Sequence, residues 1–264
     1  METCCKLNPI SVDRILKKYD DYINKNDAAS ALKHLEYWEK EISFVKDESP
    51  QNKRSLLTIE NELIGMYRKL KYKDKAITTT NNILKLIDEL DIKSNISTTI
   101  VYTNIATSYK VFEEYDKAIY YYKLSLNIYE EKGYDKNTYE YASLLNNYAL
   151  VLIDIKDYDN ASSNFNLAIE ILSKLDQKDL EIALTYLNIA TLIDTKYSIV
   201  KEEEIDIYLT KAKDILDSTK VIKDSYYAYV CENAATVYEY FGYFLYAKEL
   251  KERRDDIYER ARIS

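Results

Sequence analysis

The sequence predicts an all-α protein, a right-handed superhelical α-solenoid of about six antiparallel helix pairs. Three observations predict it. The first is a phrase that recurs. Residues 102–118 read YTNIATSYKVFEEYDKA, 145–161 read LNNYALVLIDIKDYDNA and 231–247 read CENAATVYEYFGYFLYA. A looser copy, ENELIGMYRKLKYKDKA, spans 60–76, and another begins at 186 with YLNIATLID. A repeat of about 40 residues marks stacked helix pairs, none of which can bury its apolar face alone. The second is the shortage of turn formers: three Gly and two Pro in 264 residues leave too few for the many turns of a sheet-rich fold. The third is spacing. Large apolar residues within each copy fall three or four apart, so they share one helix face.

The elements follow in order. Residues 1–9 are expected to be a flexible N-terminus ahead of a single solenoid over 10–264. Its units fall at about 10–49, 50–93, 94–136, 137–177, 178–221 and 222–264. In the first unit, Lys17-Lys18-Tyr19 replaces the small residue of the first helix, but Tyr22 and Ala31 keep the pattern. Trp38, two helical turns after Ala31, is expected in the core. The third unit shows the pattern most clearly. Tyr102, Ile105 and Tyr109 with small Ala106 form the first helix, and Glu113-Glu114 breaks it. Tyr115, Ala118, Ile119, Tyr122 and Leu126 form the second. Small residues are needed where two helices cross at ~8–10 Å. They recur as Ala149 with Ala161 and Ala235 with Ala247, while Ala31, Ala76, Ala118 and Ala161 step by 45, 42 and 43 residues. The fifth unit keeps Tyr186, Asn188 and Ala190, then carries extra residues in KYSIVKEEEID, with Ile205 for the second alanine. A longer loop, with Glu202-Glu203-Glu204 solvated in it, is expected there. The last helix, about 243–262, is strongly charged in its second half, which suits a terminal cap.

This order of large, small, aromatic, then small-x-x-x-aromatic resembles the tetratricopeptide repeat. Each helix is about a turn longer than in the common ~34-residue form. It is similar to the long variant of kinesin light chains and of bacterial peptide-sensing regulators. The closing stretch YYAYVCENAATVYEYFGYFLYAKELKERRDDIY also resembles uncharacterised tetratricopeptide proteins of anaerobic Gram-positive bacteria.

The resemblance implies a concave groove lined by the first helices. Five residues before Tyr109 and its equivalents stands an asparagine in each of the last four units: Asn104, Asn147, Asn188 and Asn233. Other tetratricopeptide domains that hold extended peptides place a clamp asparagine here. An amide can donate and accept together, as a peptide backbone requires. Neighbours on the same face are Thr103, Thr107 and Lys110; Asn146, Leu150 and Asp154; Leu187, Thr191 and Asp194; and Thr236, Glu239 and Tyr240. Asn61 and Arg68 beside Glu62 extend it earlier. The face is polar and turns acidic toward the C-terminus, so the expected partner is a protein or extended peptide segment carrying basic residues.

Other chemistry is not expected. The net charge of −8 and the lack of a basic cluster argue against nucleic acid. No run of ~18 apolar residues spans a membrane, and METCCKLNPI has no apolar stretch of a signal peptide. Cys4, Cys5 and Cys231 form an odd set without framework spacing, which fits a reducing cytoplasm. Cys231 takes a large buried position and reads as core. The one histidine, His34, is expected on an exposed helix face, so no His–His metal site is available. Three glycines cannot build a phosphate loop. No metal, cofactor or catalysis is expected.

The sequence thus points to a non-catalytic binding scaffold or adaptor. Two alternatives stand beside it. One is a cytosolic signal-peptide sensor that sequesters a partner protein, since the repeats begin by about residue 10 and leave no room for a DNA-binding domain ahead of them. The other is a self-assembling structural component using Tyr-rich surface such as Tyr120 to Tyr122. Oligomeric state is left open.

Overall fold

The computed structural model describes residues 11–45 and 48–263. Residues 1–9, with Cys4 and Cys5, lie outside the described residues. Among the described residues run twelve α-helices and no strand. They are α1 (Val12–Asn24), α2 (Ala28–Phe44), α3 (Pro50–Lys69), α4 (Lys73–Glu89), α5 (Ile96–Val111), α6 (Tyr115–Lys132), α7 (Tyr139–Asp154), α8 (Tyr158–Leu172), α9 (Asp179–Tyr197), α10 (Glu202–Leu216), α11 (Ser225–Tyr240) and α12 (Phe244–Ile263). The expected all-α fold of consecutive helix pairs is what forms.

The chain divides into two compact units, Met1–Lys93 and Ser94–Ser264. In the first, α1 packs on α2, α2 on α3 and α3 on α4. Ile15, Leu35, Ile59, Leu63, Ile64 and Ile83 form its core. In the second, α5 pairs with α6, α7 with α8, α9 with α10 and α11 with α12. There the first helices of successive pairs also touch, α5 on α7, α7 on α9 and α9 on α11, so they form a row. The small residues of the repeat close the pairs. Ala106 with Ala118, and Ala149 with Ala161, have no exposed surface, and Ala235 with Ala247 at most 1%. Close helix approach is what excludes solvent there, and a longer side chain would push the pair apart.

The connections are closed by local bonds at the helix ends, and Asp91 and Gly133, at φ 51° and 62°, end α4 and α6 between pairs with the same left-handed turn that is found inside the pairs. Four of the pairs open with a side-chain cap; among second helices, α4, α6 and α8 start without one and Asp27 caps α2. Ser49, Asn95, Thr138 and Asp224 each accept from a backbone N–H in the first turn of α3, α5, α7 and α11. Inside five of the pairs, the first helix ends on a left-handed residue: Asn26, Lys71, Glu113, Lys156 and Gly242, at φ 54°, 61°, 62°, 65° and 86°. At each, the next N–H bonds back to the carbonyl five residues earlier, as from Glu114 to Tyr109 at 2.9 Å and Asp157 to Leu152 at 2.8 Å. This Schellman closure satisfies the helix C-terminus and starts the next helix at once. The fifth pair departs from it with a 3₁₀ turn, Ser198–Lys201.

Tyrosine serves the core. Tyr122, Tyr227 and Tyr238 are fully buried, and each hydroxyl is satisfied. Tyr122 Oη lies 2.9 Å from Thr107 Oγ1, while Tyr227 and Tyr238 donate to the carbonyls of Leu216 and Leu209 at 3.0 and 2.6 Å.

Several local expectations change. His34 is half-buried; its Nε2 donates to the Ile15 carbonyl at 3.0 Å and its ring packs between Tyr22 and Trp38. Trp38 is half-buried on α2, edge-on to Tyr37 at 5.1 Å, rather than central to the core. Glu202, Glu203 and Glu204 form the first turn of α10, where the helix dipole favours negative charge. Tyr120 is exposed but Tyr122 is core, so that stretch is no continuous aromatic surface.

Candidate functional site

The row α5–α7–α9–α11 carries the four register asparagines on one helix each. Asn104 and Asn147 are half-buried and line one cavity of about 110 Å³ with Thr103, Ser143 and Tyr139. Asn147 Nδ2 donates to the Ser143 carbonyl at 2.9 Å and reaches Ser143 Oγ at 3.3 Å. Asn233 is exposed, and its Nδ2 donates to the Tyr229 carbonyl at 2.7 Å. In both, a bond from Nδ2 to the preceding turn fixes the amide. Asn188 is different. Its Nδ2 donates across the row to Asn146 Oδ1 at 3.3 Å.

That link is one of three. Lys110 on α5 lies 3.4 Å from Asp154 on α7, and Tyr240 on α11 donates to Asp194 on α9 at 2.8 Å. Each step of the row is therefore bridged by a polar pair drawn from residues the sequence marks as groove-lining. Glu239 turns to its own pair and holds Lys251 of α12 at 2.7 Å. Thr107 donates to the Thr103 carbonyl at 2.8 Å and touches Tyr122; Thr191 donates to the Leu187 carbonyl at 3.1 Å. Leu187 itself is 1% exposed, so it belongs to the core and not to the face, because it lies one residue before Asn188 and turns inward. The acidic side chains Asp154, Asp194 and Glu239 each have a partner, which moderates the negative character expected of this face.

Aromatic residues that the repeat phrase does not contain stand at the N-terminal end of the row. Tyr139, Tyr226 and Tyr229 are each part-exposed. Tyr226 and Tyr229 stack at 6.1 Å, and Lys178 sits 4.2 Å above the Tyr139 ring. Burial first, then the Glu181 carboxylate, hold the phenols of Tyr139 and Tyr226 above their ordinary value, so both remain neutral donors. Tyr229 lies one turn before Asn233, and that spacing was the available signal.

Asn61, Glu62 and Arg68 belong to α3 of the first unit. Burial, then Asp20, raise the Glu62 carboxyl, against hydrogen bonds from Asn61 and Tyr19 and the Arg68 charge. Cys231 is wholly buried as expected of a core residue, and burial pushes its thiol up to about 11. Among the described residues no three His, Cys, Asp or Glu side chains cluster to hold a metal ion. No helix among them is long and apolar enough to cross a membrane.

No protein-family model and no curated protein matches the chain in sequence. Solved structures match it in fold. BtubC (BKLC) from P. vanneervenii is 20% identical, with TM-score 0.52 over 96% of this chain and 92% of that one. A Podosopora anserina kinesin light chain of nearly identical TPR-like repeats is 15% identical, with TM-score 0.55 over 83% of this chain and 100% of that one. NprR in complex with its cognate peptide NprX is 17% identical, with TM-score 0.61 over 93% of this chain and 66% of that one. At these identities the likeness shows the fold, and the chain has the tetratricopeptide-type repeat fold that its long repeat predicts.

Proposed function

We propose that the chain is a non-catalytic cytoplasmic scaffold that holds an extended protein or peptide segment along the row α5–α7–α9–α11. The observation that carries this reading is the cavity shared by Asn104 and Asn147, beside the exposed edge of Tyr139. Asn147 and Asn233 are held by bonds to their own helices, which lowers the ordering cost of binding, and the Oδ1 of each would accept from a backbone N–H of the segment. Tyr139, Tyr226 and Tyr229 supply rigid surface for side chains of the bound segment. The likeness to NprR, whose structure holds its cognate peptide, supports a peptide as occupant.

The test has two stages. Affinity purification from the native cell with mass spectrometry names the bound protein. Asn104→Ala with Asn147→Ala should then weaken that complex about tenfold or more, the loss of one to two hydrogen bonds, with little change in Tm. Unchanged affinity in the double variant would remove the row as the binding face.

A further inference from the structure

The first unit holds a buried acid that the row does not use. Glu60 on α3 is 2% exposed. Asn82 of α4 donates from Nδ2 to its Oε1 at 3.2 Å, but Oε2 is buried with no hydrogen-bond partner. Burial first, then the neighbouring Glu39 carboxylate, push the Glu60 carboxyl up to about 8, against the Asn82 bond. Glu39 is raised as well, by burial and then by Glu36, with a bond from Ser43 opposing.

Repeat register shows that packing does not ask for this acid. The copy at 60–76 aligns Glu60 with Tyr102, Leu145, Tyr186 and Cys231. Tyr102, Leu145 and Cys231 are buried core. Glu39 stands where Leu84, Leu126 and Ile169 stand in the next three pairs, and Asn82 where Leu124 and Leu167 stand. Three polar side chains thus replace apolar ones at three register positions, and they converge. Glu39, Glu60 and Asn82 all line two adjoining cavities of about 280 and 300 Å³, in the cleft where α2, α3 and α4 meet. An apolar side chain at position 60 would avoid an unsatisfied buried oxygen, so Glu60 is retained at a cost to stability.

The lysines around the cleft are already committed. Lys53 bridges Glu48 and Glu89 at 3.0 and 2.7 Å, Lys85 faces Glu89 at 3.6 Å, and Lys75 holds Glu36 at 2.7 Å. Glu39 and Glu60 form no salt bridge with a cation among the described residues. Two carboxylates and one amide are too few oxygens for Ca²⁺, which takes six to eight. A single unpartnered oxygen suits the point charge of an ammonium better than the planar fork of a guanidinium. Leu56, Leu63 and Leu86 along the cavities suit an alkyl stem.

We infer that this cleft binds an alkylammonium group, from a lysine side chain or a free polyamine, with the charged head on Glu60 and Glu39 and the stem along the leucines. The site belongs to α2, α3 and α4 of the first unit and does not depend on the reading of the row.

The full chain, labelled with ¹³C at glutamate carboxyls, is titrated with cadaverine, spermidine and a blocked Ala-Lys-Ala tripeptide, against NaCl at equal ionic strength. The Glu60 resonance should move saturably and its pKa should fall by about one unit or more as the ammonium pairs with the carboxylate. Isothermal titration at pH 8.5 should show affinity lowered about tenfold or more in Glu60→Gln, the loss of a charge-assisted bond. Tighter binding of the tripeptide than of the diamine identifies a lysine side chain as the occupant; the reverse identifies a polyamine. No saturable movement of Glu60 with any of the three, or equal affinity in Glu60→Gln, would overturn the inference. The wild-type titration decides the matter even if the variant does not fold.

Discussion

Asn188 of α9 donates from Nδ2 to Oδ1 of Asn146 on α7, at 3.3 Å, and so joins two helices whose asparagines both read as ligand-facing in the sequence. Lys110 with Asp154 and Tyr240 with Asp194 repeat the arrangement at the other two steps of the row. Part of the polar register therefore serves the fold. Asn188→Ala and Asn146→Ala should each cost about 1 kcal/mol in urea unfolding. The double variant should cost little more than either single one, giving a coupling of about 0.5–1 kcal/mol. Fully additive costs would show that the pair does not bond in solution.

How far the site was legible follows from these residues. The asparagines recur at one register, and helical periodicity places them on one face. Which of them would meet a neighbour depends on how far adjacent helices slide past each other, and no single helix encodes that offset. Tyr139, Tyr226 and Tyr229 escaped because they precede the phrase that aligns the repeats. Leu187 was misplaced because one residue is 100° of helix rotation.

The turns inside the helix pairs were read as polar breaks without geometry, since glycine marks only one of five. Asn26, Lys71, Glu113 and Lys156 adopt φ values that glycine prefers. Glu113→Gly and Lys156→Gly, both at exposed positions, should each stabilise the protein by about 0.5–1 kcal/mol, as relief of left-handed strain outweighs the added chain entropy. Gly242→Ala, at φ 86° with open space around its Cβ position, should destabilise by about 1 kcal/mol from backbone strain alone. Denaturant midpoints measure all three, and a loss of stability in both glycine variants would refute this account of the turns.

Cys231 should be chemically silent while the protein is folded. Burial places its thiol at about 11. Two units above the ordinary value leave roughly a hundredfold less thiolate at pH 8, and steric exclusion slows attack further. In a variant with Cys4 and Cys5 replaced by serine, labelling by a disulfide reagent should therefore run about a hundredfold or more slower than in denaturant. A native rate near the unfolded one would place the thiol at the surface.

Glu60 should make the protein lose stability toward alkaline pH. Its folded pKa, about 8, lies above the ordinary carboxyl value of 4.5. The folded state therefore binds the proton more tightly than the unfolded chain does. Stability is full below the unfolded pKa and declines as pH rises through the folded one, by about 1.4 kcal/mol per unit of separation. Glu39, also raised, acts in the same direction. Urea midpoints at pH 5, 6.5 and 8 should fall steadily in the wild type and less steeply in Glu60→Gln. Glu60→Leu, which restores the residue found at 145, should be more stable than wild type at pH 8. Parallel pH profiles in wild type and Glu60→Gln would show that Glu60 ionises normally.

The last helix carries the opposite pH response. Its charged second half reads as a solvent-facing cap, yet Arg253 turns inward. Its Nη1 donates to Tyr227 Oη at 3.0 Å and to the Leu216 carbonyl, the end of α10, at 3.3 Å; Nη2 lies 2.9 Å from Asp217. Tyr246 Oη donates to the same carboxylate at 2.9 Å. The guanidinium so adds a second donor to the helix-end carbonyl that Tyr227 already bonds, while contacting Tyr227 and the Asp217 carboxylate that holds Tyr246, a geometry that one lysine ammonium cannot span. Arg253→Ala should cost about 2–3 kcal/mol, and Arg253→Lys should recover only a minor part. Burial opposes ionisation of Asp217, but bonds from Lys213, Arg253 and Tyr246 outweigh it and hold the carboxyl below its ordinary value. Its contribution is thus present above the unfolded pKa and is lost as pH falls through the folded one. Removing Arg253 removes one of the two cationic partners of that carboxylate, the other being Lys213, so the variant should lose less stability than wild type between pH 5 and pH 3. An acid slope unchanged by Arg253→Ala would mean that Lys213 and Tyr246 alone hold Asp217 ionised.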